Sequence, residues 1–596
     1  MKIACAAALS LGISVTAVGA VVGLRGGLIT IIGGLAIVYA ADRPYRYRAI
    51  LLGGIVVALT IAACLGAWAH HRGLVAIPVI AAVAMVTTFF SHALRIGPPG
   101  AYLFALACVL GDAVGAHFGL WQIALFGVTG GVISWLIQMS GALVDPRGPE
   151  IAAVVASARA VATFADRPAG PDADRACDDV AQILHDGWIV LVSLQPASAD
   201  ANRQLARLRA LHRDLHVLFA QCLDTIDSPE TESRAAYGAR AQAIIGLASQ
   251  PVPDGASAAP LVLPLGQIAM PDSIRESVAR GSTVLATTFR VGVGVACAGA
   301  IGATLELQRI NWAMAAAVLV LHQGLGWRDV ARRGIGRMVG TLAGLGLVAA
   351  LLLVHPGGVL LVGLLMALQF ATEMMVKRSY AIAVVFITAM ALLAGNGGQS
   401  DSMTQGLLWA RGEETMIGCL TGMAVYVVSA ARHPATIRND MAKTIRLIGA
   451  LVTHLADGNV STVAARIVRR DLLRAMFALV ARFDMQFGAK DQHTPLAASL
   501  WPAVVATRRL GYKVLALCWS HEAKQAAEPA ASPEPAGGTG HSRSDATITR
   551  ATLESMAQAC AQASAPAVSA GLPPLLRTEI LALNAALAEG PGTGRA

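Results

Sequence analysis

The sequence predicts an all-α polytopic membrane protein. About twelve transmembrane helices form two parallel six-helix repeats, with a helical cytoplasmic insert and a helical C-terminal region. Three observations carry this expectation. Of 596 residues, 55% are hydrophobic and only 14% charged, against about a quarter charged in an ordinary soluble protein. The apolar residues gather into stretches near the roughly 20 residues that a helix needs to cross a bilayer. Those stretches fall into two sets at matching positions. Such a balance excludes a soluble globular enzyme, a disordered scaffold and a nucleic-acid binder held by charge. The net charge of +9 fits cationic cytoplasmic loops instead.

Taken in order, the first half offers apolar stretches at 4–24, 28–41, 49–69, 73–94, 99–119 and 121–143. Lys2 and the run ending AVGA at 17–20 imitate a secretory signal with its cleavage site. The apolar sequence continues to Leu24, so the segment reads as a retained first helix. Residues 144–282 are polar and helical: Leu205, Leu208, Leu211, Leu215, Leu218, Phe219 and Cys222 recur at three- and four-residue steps. The second half offers stretches at 283–305, 311–325, 335–354, 357–375, 380–397 and 407–430. Residues 431–596 are helical again, as at Leu472, Met476, Phe477, Val480, Phe483 and Phe487, with a disordered linker expected near 523–546. Four regions result: 1–143, 144–282, 283–430 and 431–596. The tail's Arg466, Arg469, Arg470 and Arg474 read as a solvated face, or as a contact with anionic lipid. No strand pattern is convincing. The nine cysteines are scattered without CxxC spacing and read as small core residues, with no disulfide framework and no metal site.

The second, fifth and sixth stretches of the two halves are offset by 281–286 residues, which argues for a duplication. An even number of spans per unit points both copies the same way. The cationic loops DRPYRYR at 42–48 and WRDVARR at 327–333, with Lys377 and Arg378, all fall on the side of the N-terminus, the insert and the tail. The positive-inside rule places that side in the cytoplasm.

Nothing resembles a catalytic set, a phosphate loop or a cofactor fingerprint, so neither an enzyme nor a cofactor is expected. Glycines four apart line helix faces: Gly111, Gly115 and Gly119, and likewise Gly336, Gly340 and Gly344. Small residues at that spacing let backbones approach in lipid. A Leu at Gly340 is expected to separate two helices and an Ala to be tolerated. The second stretch of each half is short and starts in polar or glycine sequence, at Arg25 and at Asn311-Trp312. Paired short segments mark a transporter binding site, with helix N-termini turned to an anion. Ionisable residues inside spans are costly. Here they are Asp112, taken as mid-span, Arg290, Glu373, and Arg411, Glu413 and Glu414. Asp112, Glu373 and Glu414 are the candidate proton-coupling groups. Arg25, Arg290, Asn311 and Trp312 are the candidates for a substrate anion. Glu373 also precedes Lys377 by four residues, the spacing of a helical ion pair.

RIGPPGAYLF at 95–104 resembles a span start in the fusaric-acid-resistance (FUSC) family of bacterial inner-membrane proteins. WAMAAAVLV at 312–320 and RMVGTLAG at 337–344 are similar to its tryptophan-led span and its R-x-x-G-T-x-x-G helix. Glu373, Arg378, Tyr380 and Thr388 match its E…R-x-Y…T pattern, and ETMIG at 414–418 its D-T-x-x-G with Glu for Asp. The resemblance implies a multi-pass inner-membrane exporter of toxic aromatic carboxylic acids. It also implies a periplasmic membrane-fusion protein and an outer-membrane channel as partners, besides the lipid bilayer. A homo-oligomer stays open, and no nucleic acid is expected. Two other readings stay open: a passive anion channel, and a membrane assembly or scaffold protein acting through its cytoplasmic helices.

Overall fold

The computed structural model describes residues 1–167, 173–194, 203–224, 231–250, 270–279, 282–307, 309–324, 326–396, 403–429, 434–487, 495–527, 543–564, 566, 572 and 574–588. In chain order the first helices are α1 (Lys2–Val22), α2 (Leu24–Ile29), α3 (Ile31–Gly34), α4 (Tyr45–Ala69), α5 (Ala76–Ala93), α6 (Tyr102–Gly115) and α7 (Leu120–Val144). Then come α8 (Gly148–Ala165), α9 (Ala173–Val192), α10 (Arg203–Asp224) and α11 (Thr231–Ser249). The second set is α12 (Met270–Val278), α13 (Thr283–Thr304), α14 (Ile310–Leu321), α15 (Trp327–Leu352), α16 (Gly358–Met375), α17 (Tyr380–Asn396) and α18 (Met403–Ser429). The last is α19 (Pro434–Ala456), α20 (Val463–Phe487), α21 (Pro495–Ala527), α22 (Arg543–Gln562) and α23 (Pro574–Ala588). No strand occurs among the described residues.

The chain divides into two units, residues 1–146 with 268–431 and residues 147–267 with 432–596. In the first, seven helical segments among the described residues are long and apolar enough to cross a membrane: α1, α4, Arg72–Ala93, α7, α13, α15 and α16. Four shorter apolar segments accompany them, Leu24–Val38, Tyr102–Gly115, Ile310–Leu321 and Tyr380–Gly395. Large apolar side chains such as Leu9, Ile61, Leu136, Phe289 and Leu342 stay exposed, as a lipid-facing surface requires and a water-facing one does not. This is a polytopic helical membrane protein.

Backbone proximity explains the local breaks. A Cβ on Gly27 would strike Val15 O, and one on Gly33 would strike Gly127 O. The second stretch therefore packs as bare backbone, split into α2, α3 and a 3-10 turn at Leu35–Val38. Its trailing carbonyls still need donors, because lipid supplies none. Arg48 of α4 donates Nε to Ala40 O at 3.1 Å and Nη2 to Arg43 O at 2.9 Å and to Ala41 O. Gln138 of α7 donates to Tyr39 O at 3.1 Å and to Ile37 O.

Helix pairings recur between the halves. α4 packs on α6 as α15 packs on α17. α7 packs on α3 and α4 as α18 packs on α14 and α15, and α1 packs on α2 and α7 as α13 packs on α14 and α18. Across the halves, α1 lies on α16 and α13 on α5.

Gly111 and Gly115 bring α6 against Ala63 and Ala67 of α4. Gly340 and Gly344 bring α15 against Ala381, Val384 and Thr388 of α17. Gly336 is different: a Cβ there would meet Tyr380 and Ala381 at 3.5 Å and beyond, an ordinary contact. Gly119 is not on α6 at all, since that helix ends at Gly115 and Gly119 caps α7.

Two boundaries differ from the sequence reading. α12, placed in the insert, belongs to the membrane unit, where Ser273 Oγ donates to Ala93 O at 2.6 Å. The expected linker at 523–546 is helical at both ends, through Ala527 in α21 and from Arg543 in α22. The remainder of it, 528–542, lies outside the described residues.

The second unit closes one apolar core from both polar regions, α8–α11 and α19–α23. Phe219 of α10 meets Phe164 of α8 at 5.5 Å and Tyr512 of α21 at 6.1 Å between ring centres. Asp178 of α9 pairs with Arg508 of α21. Arg469, read from sequence as solvated, is buried and forms a two-pronged ion pair with Glu522 at 2.5 and 3.2 Å.

Candidate functional site: buried arginines beside α14

The start of α14 is where polar groups from both halves of the membrane unit converge. α14 begins after Arg309, whose backbone N–H donates to Glu414 Oε1 of α18 at 2.9 Å. A carboxylate there satisfies one of the orphan donors at a helix start and favours its positive end. One residue into α14, Asn311 Nδ2 donates to Asp112 Oδ2. The other oxygen of Asp112 lies 3.3 Å from His70 Nδ1, just past the end of α4. The next residue, Trp312, carries the guanidinium of Arg411 over its ring, 3.6 Å from the centroid.

Arg411 is 4% exposed, and Arg337 of α15 is 2% exposed. They lie close enough to repel each other, with Glu414 acting on Arg411 in opposition. On each, Nε and Nη1 have no hydrogen-bond partner among the described residues. Tyr102, Tyr380 and Cys419 surround Arg337. Thr341, one turn along α15, and Thr388 of α17 are buried, with hydroxyls that likewise lack a partner among the described residues. Burying an ion costs several kcal/mol unless a counter-charge and hydrogen bonds compensate, and every buried donor is expected to find an acceptor. Two buried guanidiniums face one buried carboxylate, and four of their nitrogens lack an acceptor among the described residues. Arg48 is the contrast: equally buried, it spends its donors on backbone carbonyls.

The sequence candidates divide accordingly. Asp112, Glu414, Asn311 and Trp312 meet at this site. Asp112 is not mid-helix but in the last turn of α6, with its side chain 16% exposed. Glu373 stands apart on α16, accepting from Gln369 Nε2 at 3.1 Å. The helical pairing expected with Lys377 is not made, because α16 ends at Met375. Arg290 lies over the Tyr426 ring at 4.7 Å and donates to Ser429 Oγ at 2.9 Å, so its charge is engaged at the far end of α18. Arg25 is exposed at the start of α2. Sequence reasoning missed Arg337 and Arg411 as the core of the site, and His70 as the partner of Asp112. The R-x-x-G-T-x-x-G and Y…T patterns held the signal: the α15–α17 contact sets Arg337 beside Tyr380.

The fusaric acid resistance protein-like family matches residues 296–425. That stretch holds Asn311, Trp312, Arg337, Thr341, Thr388, Arg411 and Glu414, whereas Asp112 and His70 come from the other half. The uncharacterized membrane protein YvaC of Bacillus subtilis (strain 168) is 25% identical over 534 residues, covering 82% of this chain and 81% of that protein. No solved structure matches. The chain is a multi-pass helical membrane protein whose residues 296–425 are similar to the fusaric acid resistance protein-like family.

Proposed function

We propose that the protein is an inner-membrane transporter that exports aromatic carboxylic acids or related toxic anions, driven by a gradient. The observation that carries the reading is the pair of buried, incompletely bonded guanidiniums at Arg337 and Arg411. A carboxylate is the flat, two-pronged acceptor that a guanidinium fits best, and the Trp312 ring gives an aromatic body a surface to stack on. The proposal includes twelve spans in two parallel six-helix repeats. Its support is the seven long segments, the four shorter ones, α18 and the recurring helix pairings. It also includes a cytoplasmic location for both termini and the second unit, on the strength of the cationic loops at 42–48 and 327–333. Asp112 is assigned to the gradient, since it is a half-buried carboxyl group bonded to both halves through His70 and Asn311. A membrane-fusion protein and an outer channel remain the proposed partners, and no enzymatic step is assigned.

The test is flux of a hydroxybenzoate through the purified protein in liposomes, with an imposed proton gradient. Arg337→Gln and Arg411→Gln should each lower flux at least tenfold while the protein stays folded. Asp112→Asn, similar in size but unable to titrate, should bind substrate yet lose its response to the gradient. Wild-type flux in both arginine variants would end the anion-site reading, and flux indifferent to any gradient in the wild type would make the protein a passive pore.

A further inference from the structure

Among the described residues, Glu414 is the buried carboxylate beside Arg411, and its place bears on how a substrate binds. It sits three residues after Arg411, so α18 presents both on one face. Glu414 is 1% exposed. The other charged groups that face it are few. Arg411 shares its face of α18, the start of α14 contributes Arg309, and the neighbouring Glu413 of α18 is exposed, while Arg337 of α15 acts on Arg411. α13 also packs on α18, but its Arg290 is held at Ser429. Cys419, five residues on, lies near Arg337 and Arg411. Among the described residues, Glu414 is thus the buried carboxylate that balances Arg411.

We propose that Glu414 is the site's proton acceptor: when a substrate carboxylate binds Arg337 and Arg411, Glu414 takes up one proton from solvent. This rests on the anion-site reading above. Two carboxylates beside the same arginines, away from water, repel strongly, and protonating one of them relieves the repulsion. The substrate, gripped by both guanidiniums, keeps its charge. Glu414 gains one O–H bond to the proton that solvent gives up, and no other covalent bond changes. By linkage, proton and substrate then raise each other's affinity. A proton that enters with the substrate cannot be the one exchanged against it, so the exchanged proton falls to Asp112, beyond Asn311 and Trp312 from the arginines.

The experiment is titration calorimetry of the full chain in lipid nanodiscs, with benzoate as the probe, in buffers of differing ionisation enthalpy. At pH 8 the wild type should take up close to one proton per benzoate bound. Its affinity should weaken by up to about tenfold per pH unit as pH rises further. Glu414→Gln should bind benzoate at least as tightly, with no proton uptake and a flat pH profile. Wild-type binding without proton uptake overturns the proposal, and that result needs no variant to fold. Uptake that persists in Glu414→Gln overturns it as well. If instead Arg337→Gln and Arg411→Gln leave benzoate affinity unchanged, the anion site itself is wrong, a distinct failure.

Discussion

Gly340 faces the backbone of α17, where an added Cβ would lie 2.5 Å from Ala381 O and 2.7 Å from Val384 Cβ. A carbonyl oxygen cannot rotate out of the way as a side-chain tip can, so even alanine must push the helices apart. The sequence expectation that alanine is tolerated there is therefore replaced. Gly340→Ala should destabilise the membrane unit by about 1–3 kcal/mol, whereas Gly336→Ala should change little. Melting of the two purified variants in detergent separates them, and equal melting points would remove the packing argument. The stripe of three glycines was legible, because spacing four places residues on one face. Which of the three touch was not, because that depends on where a neighbouring helix crosses. The arginines show the same limit. Arg337 stood out as part of a motif, but only the fold puts it beside Arg411, 74 positions later.

Among elements, α14 was the best anticipated: its shortness and its Asn-Trp start were visible in the sequence, and both residues make site contacts. Its capping by a carboxylate from α18 was not visible, since the two lie more than 100 residues apart. The periodicity of α10 also told its buried face, but not that two histidines lie on it. His212 and His216 are buried, with His216 between the rings of Trp188 and Trp519 at 6.0 and 4.5 Å. Burial pushes His212 down to about 4 from an ordinary 6.5, and burial, with His212, His185 and the positive Arg469 near it, pushes His216 well down too. The unfolded chain then binds protons that the folded unit refuses. Stability is full above the ordinary value of 6.5 and is lost as pH falls from there toward 4, by on the order of 3 kcal/mol for His212. Urea unfolding of the full chain at pH 7.5 and 5 should show the second unit weakening with acid. His216→Phe, similar in shape and unable to titrate, should shrink that difference. An equal pH response in the variant would clear His216 of any part in it.

At the scale of the molecule, the apolar stretches and the polar regions between them told the helix content and the division of the chain. What no local pattern could reveal is that regions separated by a whole membrane half share one core. The orientation remains open to a direct check. Reporter fusions after Asp145 and after His433 should both score cytoplasmic, and a periplasmic score at either would reverse or break the proposed topology.

The ion pair between Asp178 and Arg508 spans 330 positions of sequence. A ribosome that has finished α11 at Ser249 must still make all of α12–α18 before α19 begins at Pro434. At roughly 5–20 residues per second, that interval is about 10–40 seconds. Through it the apolar faces of α8–α11 wait for the helices that will cover them, while the second membrane half is being threaded into lipid. Biogenesis therefore runs out of the order of the chain: the middle of the protein is made early and completed last, and it needs shelter in the interim. A message cut short after the last span would leave that middle permanently half-built.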